Sequence, residues 1–371
     1  MSSRDSGVVE CEFFRNPKME WLKDAWMKLE TESDCSFFLS WLWIGTWIDC
    51  FVDDFSVLEA RRDGKIVGLG IIVAKHFPNA KRPLRTKYYL HRTGYSDEDQ
   101  VWIEYNDFLI SRTDTEHIRY EMCSYLTHRL NSGDAFVVGA SKPEQFSCMS
   151  ELGVIERKVW ETTNYHIDLN ELCKTDGSVL SAISRNARYQ IKRSIREYEK
   201  VGPISVEKCQ TIEGAYALLE IAKPLHLARW GDGLTGSGLA NPKFISFHKL
   251  LISRGLEGGG IELNHIKAGN DTIGIVYNFK YKNTIYFYFC SMNYKFNSSH
   301  FKPGLVSHYL LIDQAIRDKA DIYDFMGGTA RYKSTFSNRK GKLVVCQYEH
   351  PGLFLSVESF ARKMKHKLCL S

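Results

Sequence analysis

The sequence predicts an α/β protein built from two tandem lobes, residues 1–171 and 172–371. At 371 residues the chain is longer than one ordinary domain requires. Stretches with helical periodicity alternate with short strand-like runs in both halves. Each half also contains a hairpin with a glycine early in its second strand, at Gly68 and at Gly274. This similarity indicates a duplicated α/β unit.

The first lobe is predicted to begin with two apolar helices. Residues 17–30 start with proline and place Trp21, Leu22, Ala25, Trp26 and Leu29 on one helical stripe. The next stretch, CSFFLSWLWIGTWIDCF (35–51), is shorter than the roughly 20 residues of a membrane span and contains Asp49. We interpret it as a buried aromatic helix, with a membrane-docking surface as the alternative. The elements predicted after it are a hairpin (57–75), strands near 87–91, 105–110 and 135–139, and a helix over 115–131.

The second lobe is predicted to begin with a basic helix over residues 178–202. Its arginine-rich face is interpreted as solvated, and contact with RNA or an anionic substrate is the alternative. A second helix, 213–230, is expected to kink or break at Pro224. Residues 233–238, GLTGSG, are predicted to form a flexible loop, and a lid near the acceptor site is a further interpretation. The elements predicted after it are a helix, a hairpin (261–282), strands at 283–292 and 321–326, and between these strands a helix from Gly304.

Composition is typical of a soluble globular protein, with 44% hydrophobic and 25% charged residues. The net charge of +5 suits an anionic small ligand as well as a nucleic acid, so it selects neither. The ten cysteines include no C-x-x-C pair and no Cys/His cluster at zinc spacing. We therefore expect reduced cysteines, no metal site and a cytoplasmic location. No signal-peptide-like apolar run is found in MSSRDSGVVECEFF.

Two stretches in the second lobe contain residues suited to ligand binding or catalysis. Pro303 fits the first turn of a helix, whose free backbone N–H groups suit an anion, and Lys302 and Lys295 add positive charge. An ordinary proline-started helix is the alternative. Further on, the strand DIYDFM contains the charged Asp324, followed by two glycines and then Tyr332-Lys333. A charge in a buried strand is rare unless it is paired or functional.

The order of these elements resembles the GNAT acyltransferase superfamily, and more narrowly its CelD-like (cellulose-biosynthesis-associated) and FemAB-like tandem group. The matching stretches are Ser184-Arg185 with the basic helix, LHLARW (225–230), KPG (302–304), YDFMGG (323–328) and RYK (331–333). The resemblance implies two tandem GNAT-like lobes, each with a mixed, mostly antiparallel sheet flanked by helices. It also implies that strands Thr284–Met292 and Asp321–Met326 splay apart around the pantetheine arm of acetyl-CoA or another acyl-CoA.

The resemblance further assigns the donor site. Backbone N–H groups at Cys290, Ser291 and Met292 would polarise the thioester carbonyl. The helix start at Gly304 and Leu305, with Lys302, would hold the pyrophosphate. Acyl-CoA would be a co-substrate, and no bound cofactor is implied. The usual phosphate signature, Q/R-x-x-G-x-G/A, is missing from this loop, which leaves aminoacyl-tRNA open as the donor.

At the reacting centre, Asp324 is predicted to act as the base or to orient the acceptor amine. Strand alternation places it on the opposite face from Tyr323 and Phe325. Tyr332 could protonate the leaving group, and Lys333 could neutralise a phosphate or carboxylate. The alternative is that Asp324 pairs with Lys333 and only fixes the loop; Arg331 is a second such partner.

The motif LHLARW, by the same resemblance, suggests that His226, Arg229 and Trp230 line the acceptor pocket. His226 and Arg229 are three residues apart and so share a helical face. A neutral His226 is an alternative base. A helix end stabilised by a cation is the alternative interpretation.

The resemblance implies an acyltransferase that moves an acyl group from acyl-CoA to an amine or hydroxyl of an envelope or polysaccharide precursor. The acceptor is expected to be a small molecule or glycan precursor, with no DNA partner. One alternative is an aminoacyl-tRNA-dependent transferase. Another is a non-catalytic protein that binds an acyl ligand or a synthase partner. Residues 356–368 are predicted to form a core-closing helix, with peripheral membrane contact as the alternative.

Overall fold

The structure, a computed structural model, describes residues 7–79, 82–175, 178–233, 236–296 and 298–351. The chain forms two compact units. The first comprises the described residues of Met1–Tyr95, Trp102–Glu161 and Leu343–Ser371, and the second those of Ser96–Val101 and Thr162–Lys342. The predicted helix at 356–368 lies outside the described residues.

The strands in the described part of the chain are β1 (Val9–Arg15), β2 (Ser56–Arg62), β3 (Lys65–Asn79), β4 (Arg82–Leu90), β5 (Leu109–Ile110), β6 (Ala135–Ser141), β7 (Ile155–Asp168), β8 (Ile204–Lys208), β9 (Ile261–Ala268), β10 (Asp271–Tyr281), β11 (Thr284–Met292), β12 (Ile322–Gly327) and β13 (Arg339–Glu349). The α-helices there are α1 (Met19–Thr31), α2 (Trp41–Phe51), α3 (Thr115–Thr127), α4 (Leu169–Thr175), α5 (Val179–Ala182), α6 (Arg185–Val201), α7 (Ile212–Trp230), α8 (Pro242–Gly255), α9 (Pro303–Arg317) and α10 (Arg331–Phe336).

Both units contain a mixed, mostly antiparallel sheet, as predicted. In the first unit the strand order is β1-β2-β3-β4-β6-β13, and only the β4–β6 pair is parallel. In the second unit the order is β8-β9-β10-β11-β12-β7, and only β11–β12 is parallel. Each parallel pair spans three residues. The duplicated α/β fold predicted from the sequence is thereby confirmed.

The two hairpins also share a local irregularity. In each of them the register shifts by one residue just before the early glycine, Gly68 or Gly274. A Cβ at Gly68 would lie 2.6 Å from the sulfur of Met122, and a Cβ at Gly274 would lie 2.6 Å from that of Met292. Both positions therefore favour glycine, because a methionine packs against the bare backbone.

The sixth strand in the order given for each unit comes from the other half of the sequence. β7 follows β6 along the chain but pairs with β12. β13 follows β12 but pairs with β6. The compact units are therefore discontinuous in sequence, whereas the predicted lobes 1–171 and 172–371 are continuous. The boundary between those lobes stays a prediction.

Several local predictions are confirmed and others need correction. The aromatic stretch forms α2 after a short 3₁₀ turn, with Trp43 and Trp47 buried. The helix predicted over 178–202 is interrupted between α5 and α6, where the Ser184 hydroxyl accepts the Ala187 N–H and starts a new helix. Helix α7 continues unbroken through Pro224, which is exposed. Water can therefore satisfy the carbonyl that the proline leaves without a donor. Among the described helices, none has the length and apolar character needed to cross a membrane.

Candidate active site

The parallel strands β11 and β12 separate inside the second unit. They pair only over Thr284–Tyr286 and Ile322–Asp324, after which β11 continues to Met292 without β12 beside it. Alternate backbone N–H groups on that edge of β11 therefore lose their strand partner. The splay predicted for these two strands is present, and Asp324 is the last residue of β12 that pairs with β11.

A β-bulge lies on β11 beyond this point. Tyr277 of β10 is opposite Phe289, and Asn278 is opposite Phe287, so Tyr288 is the extra residue. The rings of Tyr288 and Phe289 both pack near Phe244 of α8, with their centroids 6.3 and 6.4 Å from the Phe244 centroid. Such bulges re-aim side chains and interrupt pairing, and they are frequent beside active sites.

Helix α9 begins with an uncapped N-terminus. Its N-cap residue is Lys302, which makes no capping hydrogen bond through its side chain, and Pro303 follows at the first position. The first hydrogen bond of the helix runs from the Val306 N–H to the Lys302 carbonyl at 3.0 Å. The N–H groups of Gly304 and Leu305 precede that bond and suit an anion. By contrast, three neighbouring helices are capped by side chains, α6 by Ser184, α7 by Thr211 and α8 by Asn241.

A cleft of about 380 Å³ opens at the start of α9. A Cβ at Gly304 would meet no atom within 4 Å, so the backbone there is open to a ligand. Positive charge is supplied by Lys302 and Arg331. The lining residues are Ser184, Asn186, Ala187, Gln190, Tyr294, Phe301, Lys302, Pro303, Gly304, Leu305, Arg331, Tyr332 and Thr335. This chemistry fits a diphosphate followed by a partly apolar arm.

Tyr332 connects the cleft to the diverging strands. Its ring stacks on the imidazole of His308, with centroids 4.5 Å apart and an interplanar angle of 14°. It also lies 6.1 Å from Phe287 of β11 and 5.9 Å from Phe325 of β12. Burial, reinforced by Cys290, raises the pKa of the Tyr332 phenol well above its usual value. The phenol therefore stays protonated near neutral pH.

Cys290 lies on β11 beyond the point of divergence. Burial raises the pKa of its thiol to about 12, although the positive charges of Lys333 and Arg229 oppose this shift. Because the thiolate is the nucleophilic form of cysteine, this side chain is not a nucleophile at neutral pH.

Asp324 and Lys333 are both buried, each with 7% of its surface exposed. The Asp324 Oδ1 accepts the N–H of Met326 at 2.6 Å, where Met326 has a positive φ of 60°. The Lys333 ammonium donates to the carbonyl of Gly327 and lies 5.7 Å from the centre of the Phe287 ring. Both charges therefore also hold the end of β12. The alternatives given for Asp324 from the sequence stay open.

His226 is held by the loop that follows α7. Its Nδ1 lies 2.7 Å from the hydroxyl of Ser237, which itself accepts the Leu239 N–H at 3.1 Å. Burial lowers the pKa of His226 to about 4, so its imidazole is neutral near pH 7. Of the predicted lid, Leu234 and Thr235 lie outside the described residues.

Arg229 and Trp230 lie at the end of α7. The Arg229 guanidinium carbon is 5.8 Å from the Trp230 ring centre and 5.5 Å from that of Tyr294. Tyr294, just after β11, also lines the cleft. The His226 ring contacts Phe289 of β11 at 5.6 Å, which places this end of α7 against the same strand.

The structure thus brings most of the predicted site residues around β11, α9 and α10. Sequence reasoning missed Tyr294, His308 and Ser237. His308 is fully buried in a helix of ordinary apolar spacing, so its pattern carries no functional signal. Tyr294 and Ser237 follow from loop geometry that periodicity does not show.

The equivalent divergence in the first unit is filled by the chain itself. Here β4 and β6 separate after Tyr89 and Val137. The buried side chain of Asn106 donates to the Leu90 carbonyl at 2.8 Å and contacts His91 Nδ1 at 2.9 Å. Its backbone N–H donates to the Ala140 carbonyl at 3.3 Å. Asn106 therefore bridges the two strand ends and occupies the space between them.

Residues 185–334 match the family model of the acetyltransferase (GNAT) domain. No curated protein sequence matches the chain. Among solved structures, FemX is similar at a TM-score of 0.56 with 13% identity, covering 89% of this chain and 96% of FemX. A conserved protein of unknown function from Bacteroides thetaiotaomicron is similar at 0.55 with 8% identity, covering 91% of this chain and 100% of that one.

L-PGS from Bacillus licheniformis is similar at a TM-score of 0.50 with 11% identity, covering 93% of this chain and 96% of that one. At these identities the likeness shows the fold alone. With the domain match over residues 185–334, it confirms the GNAT part of the resemblance. The FemAB-like part is supported in fold alone. The CelD-like part of the resemblance stays a prediction.

Proposed function

From the GNAT acetyltransferase domain at residues 185–334, we propose that the protein is an acyltransferase. It moves an acetyl or longer acyl group from acyl-CoA to an amine or hydroxyl of an envelope or polysaccharide precursor. The observation that carries the proposal is the separation of β11 and β12 beside the uncapped start of α9. The cytoplasmic location predicted from the cysteine pattern is part of this proposal.

The donor's diphosphate binds at the N–H groups of Gly304 and Leu305. The helix dipole and the charges of Lys302 and Arg331 support this assignment. The pantetheine arm runs along Tyr332 towards the unpaired edge of β11. Backbone N–H groups near Cys290 then face the thioester carbonyl, as the resemblance predicts.

Transfer is direct. The acceptor's amine or hydroxyl attacks the thioester carbonyl, a C–N or C–O bond forms, and the C–S bond breaks to release CoA. An acyl-cysteine intermediate is disfavoured because the Cys290 thiol has a pKa of about 12. Tyr332, which is protonated near neutral pH, donates its proton to the leaving thiolate and regains one from water after CoA leaves. Asp324 takes the acceptor's proton or orients the acceptor, and positioning supplies much of the rate.

Aminoacyl-tRNA is the second candidate donor, because the usual phosphate signature is missing and the basic helix α6 borders the cleft. The exposed cations of α6 include Arg185, Lys192 and Arg196. Arg188 instead turns inward, with Nη2 at 3.3 Å from the Ser181 carbonyl. The exposed cations suit RNA phosphates as well as the phosphates of CoA.

The test is release of free CoA thiol from acetyl-CoA in the presence of amine-bearing and hydroxyl-bearing sugars and nucleotide-linked sugars. Tyr332→Phe is expected to lose about 100-fold or more of the rate, because it removes the proton donor. Tyr309→Phe, a matched change on α9 outside the cleft, is expected to keep it. Transfer from charged tRNA, assayed in parallel without any thiol release, would favour the second donor. Binding without turnover of either donor would favour the non-catalytic alternative.

A further inference from the structure

Arg229 is an exposed arginine that two aromatic rings hold in place. Its guanidinium carbon lies within 6 Å of the ring centres of both Trp230 and Tyr294, the range of a cation–π contact. Within the part of the chain that the structure describes, Arg229 makes no hydrogen bond or ion pair. Its N–H donors are therefore free for a ligand, while its position is fixed by the rings.

The two rings are themselves unusual for a soluble protein surface. Trp230 is 57% exposed and Tyr294 is 56% exposed. Large aromatic side chains grouped at the surface mark binding sites more often than isolated ones do. A planar guanidinium held against them offers a fork of donors that matches a carboxylate or a phosphate.

The location is next to the proposed reacting centre. The positive charge of Arg229 acts on both Cys290 and Tyr294, lowering the pKa of each against the effect of burial. Arg229 is not among the residues that line the cleft, where Lys302 and Arg331 lie. Lys302 and Arg331 are therefore the cations available to the donor's phosphates. Arg229 is available to the acceptor, the second substrate.

We propose that Arg229, held by Trp230 and Tyr294, binds an anionic group of the acceptor, either a carboxylate or a phosphate. This inference rests on the proposed function and narrows its substrate class. The acceptor is an acidic molecule, and its amine or hydroxyl is presented to the thioester while its anion lies in the Arg229 fork. The rings cover the part of the acceptor next to the anion.

The experiment compares three probes, glucose, glucuronate and glucose 1-phosphate, by isothermal calorimetry with CoA present in excess. The wild type is expected to bind one of the two anionic probes about tenfold or more tightly than glucose, the scale of a hydrogen bond to a charged group. Arg229→Gln is expected to lose that preference. Lys223→Gln, which removes one charge from the same helix, is expected to keep it. Arg229→Lys is expected to keep only part, because an ammonium has no planar fork.

Which anionic probe binds more tightly identifies the source of the anion as carboxylate or phosphate. Equal binding of all three probes to the wild type would overturn the inference, and so would a preference that survives Arg229→Gln. CoA binding is measured on the same samples. CoA binding without any anion preference overturns this inference alone. An Arg229-dependent preference without CoA binding supports the anion site and contradicts the proposed donor.

Discussion

Two substitutions at Asp324 separate its structural contact from its proposed chemistry. The Oδ1 atom accepts the Met326 N–H at 2.6 Å at a residue with a positive φ of 60°. Asparagine keeps a side-chain oxygen in the same place but carries no charge. Alanine removes both the oxygen and the charge. Comparing Asp324→Asn with Asp324→Ala therefore tests the charge at nearly constant structure.

The expected magnitudes differ for stability and for rate. The side chain is only 7% exposed, so water cannot readily replace the lost acceptor in Asp324→Ala. That variant is expected to lose about 1.5–3 kcal/mol of unfolding free energy, the range for a hydrogen bond to a charged group. Asp324→Asn is expected to lose less. Both are expected to lose about 100-fold to 10,000-fold in turnover if the carboxylate is the base.

Urea unfolding followed by circular dichroism gives the stability, and release of CoA thiol gives the rate. Turnover of Asp324→Asn within a few-fold of the wild type would refute a role for the charge. An Asp324→Ala variant as stable as the wild type would refute the structural part of the reasoning. A slow but stably folded Asp324→Asn is the predicted result.

Three further predictions follow from burial. The Cys290 thiol, with its pKa of about 12, should react with iodoacetamide more slowly than exposed Cys173, as read by peptide mass spectrometry; equal rates would contradict the raised pKa. Because Asn106 fills the divergence in the first unit, calorimetry should find one CoA per chain, and two would show that this space opens. Burial lowers the pKa of His248 and His308 to about 3, well below the pKa of about 6.5 in the unfolded chain. The stability that these neutral rings contribute is therefore present above about pH 6.5 and is lost as the pH falls. The urea concentration at the unfolding midpoint should fall between about pH 7 and pH 5, and it should fall less steeply in His248→Phe. A midpoint that does not change with pH would contradict the lowered pKa values.

Local structure was largely predictable because it depends on nearby residues. Alternating apolar residues around a polar turn predict both hairpins, and the glycines at 68 and 274 mark the same irregularity in each. The stripe on α1 is confirmed, with Leu22, Trp26 and Leu29 buried. Each of these features is decided within about one hairpin or one helix.

Features that depend on distant partners could not be predicted in this way. The pairing of β7 with β12, and of β13 with β6, depends on which strand each of them meets in the folded protein. The local sequence of β7 or β13 does not indicate that partner. The bulge at Tyr288 has no turn residue to mark it, and its ring packs near Phe244 of α8. The sequence predicts a kink or a break at Pro224, but α7 does not break there, and local sequence does not show that this position faces solvent.

The candidate site was predictable in outline but not in its contacts. KPG indicates the start of α9, and YDFMGG with RYK indicates the turn after β12. The stacking of Tyr332 on His308 joins residues from two helices, and the ring contact between Arg229 and Tyr294 joins a helix to a distant loop. Such pairs arise only from tertiary structure. The resemblance located the region, and the structure supplied the geometry.

The central claim is that the open start of α9 binds the diphosphate of CoA. A thermal-shift titration with CoA tests it in the wild type, Gly304→Glu and Gly258→Glu. Both glycines have no atom within 4 Å of an added Cβ, so neither change should disturb packing. A ligand at 100 times its Kd stabilises the native state by about 2.7 kcal/mol. We predict a saturable rise in Tm for the wild type and Gly258→Glu and none for Gly304→Glu, where a carboxylate occupies the anion site. An equal rise in all three proteins, or no rise in the wild type, would contradict the account.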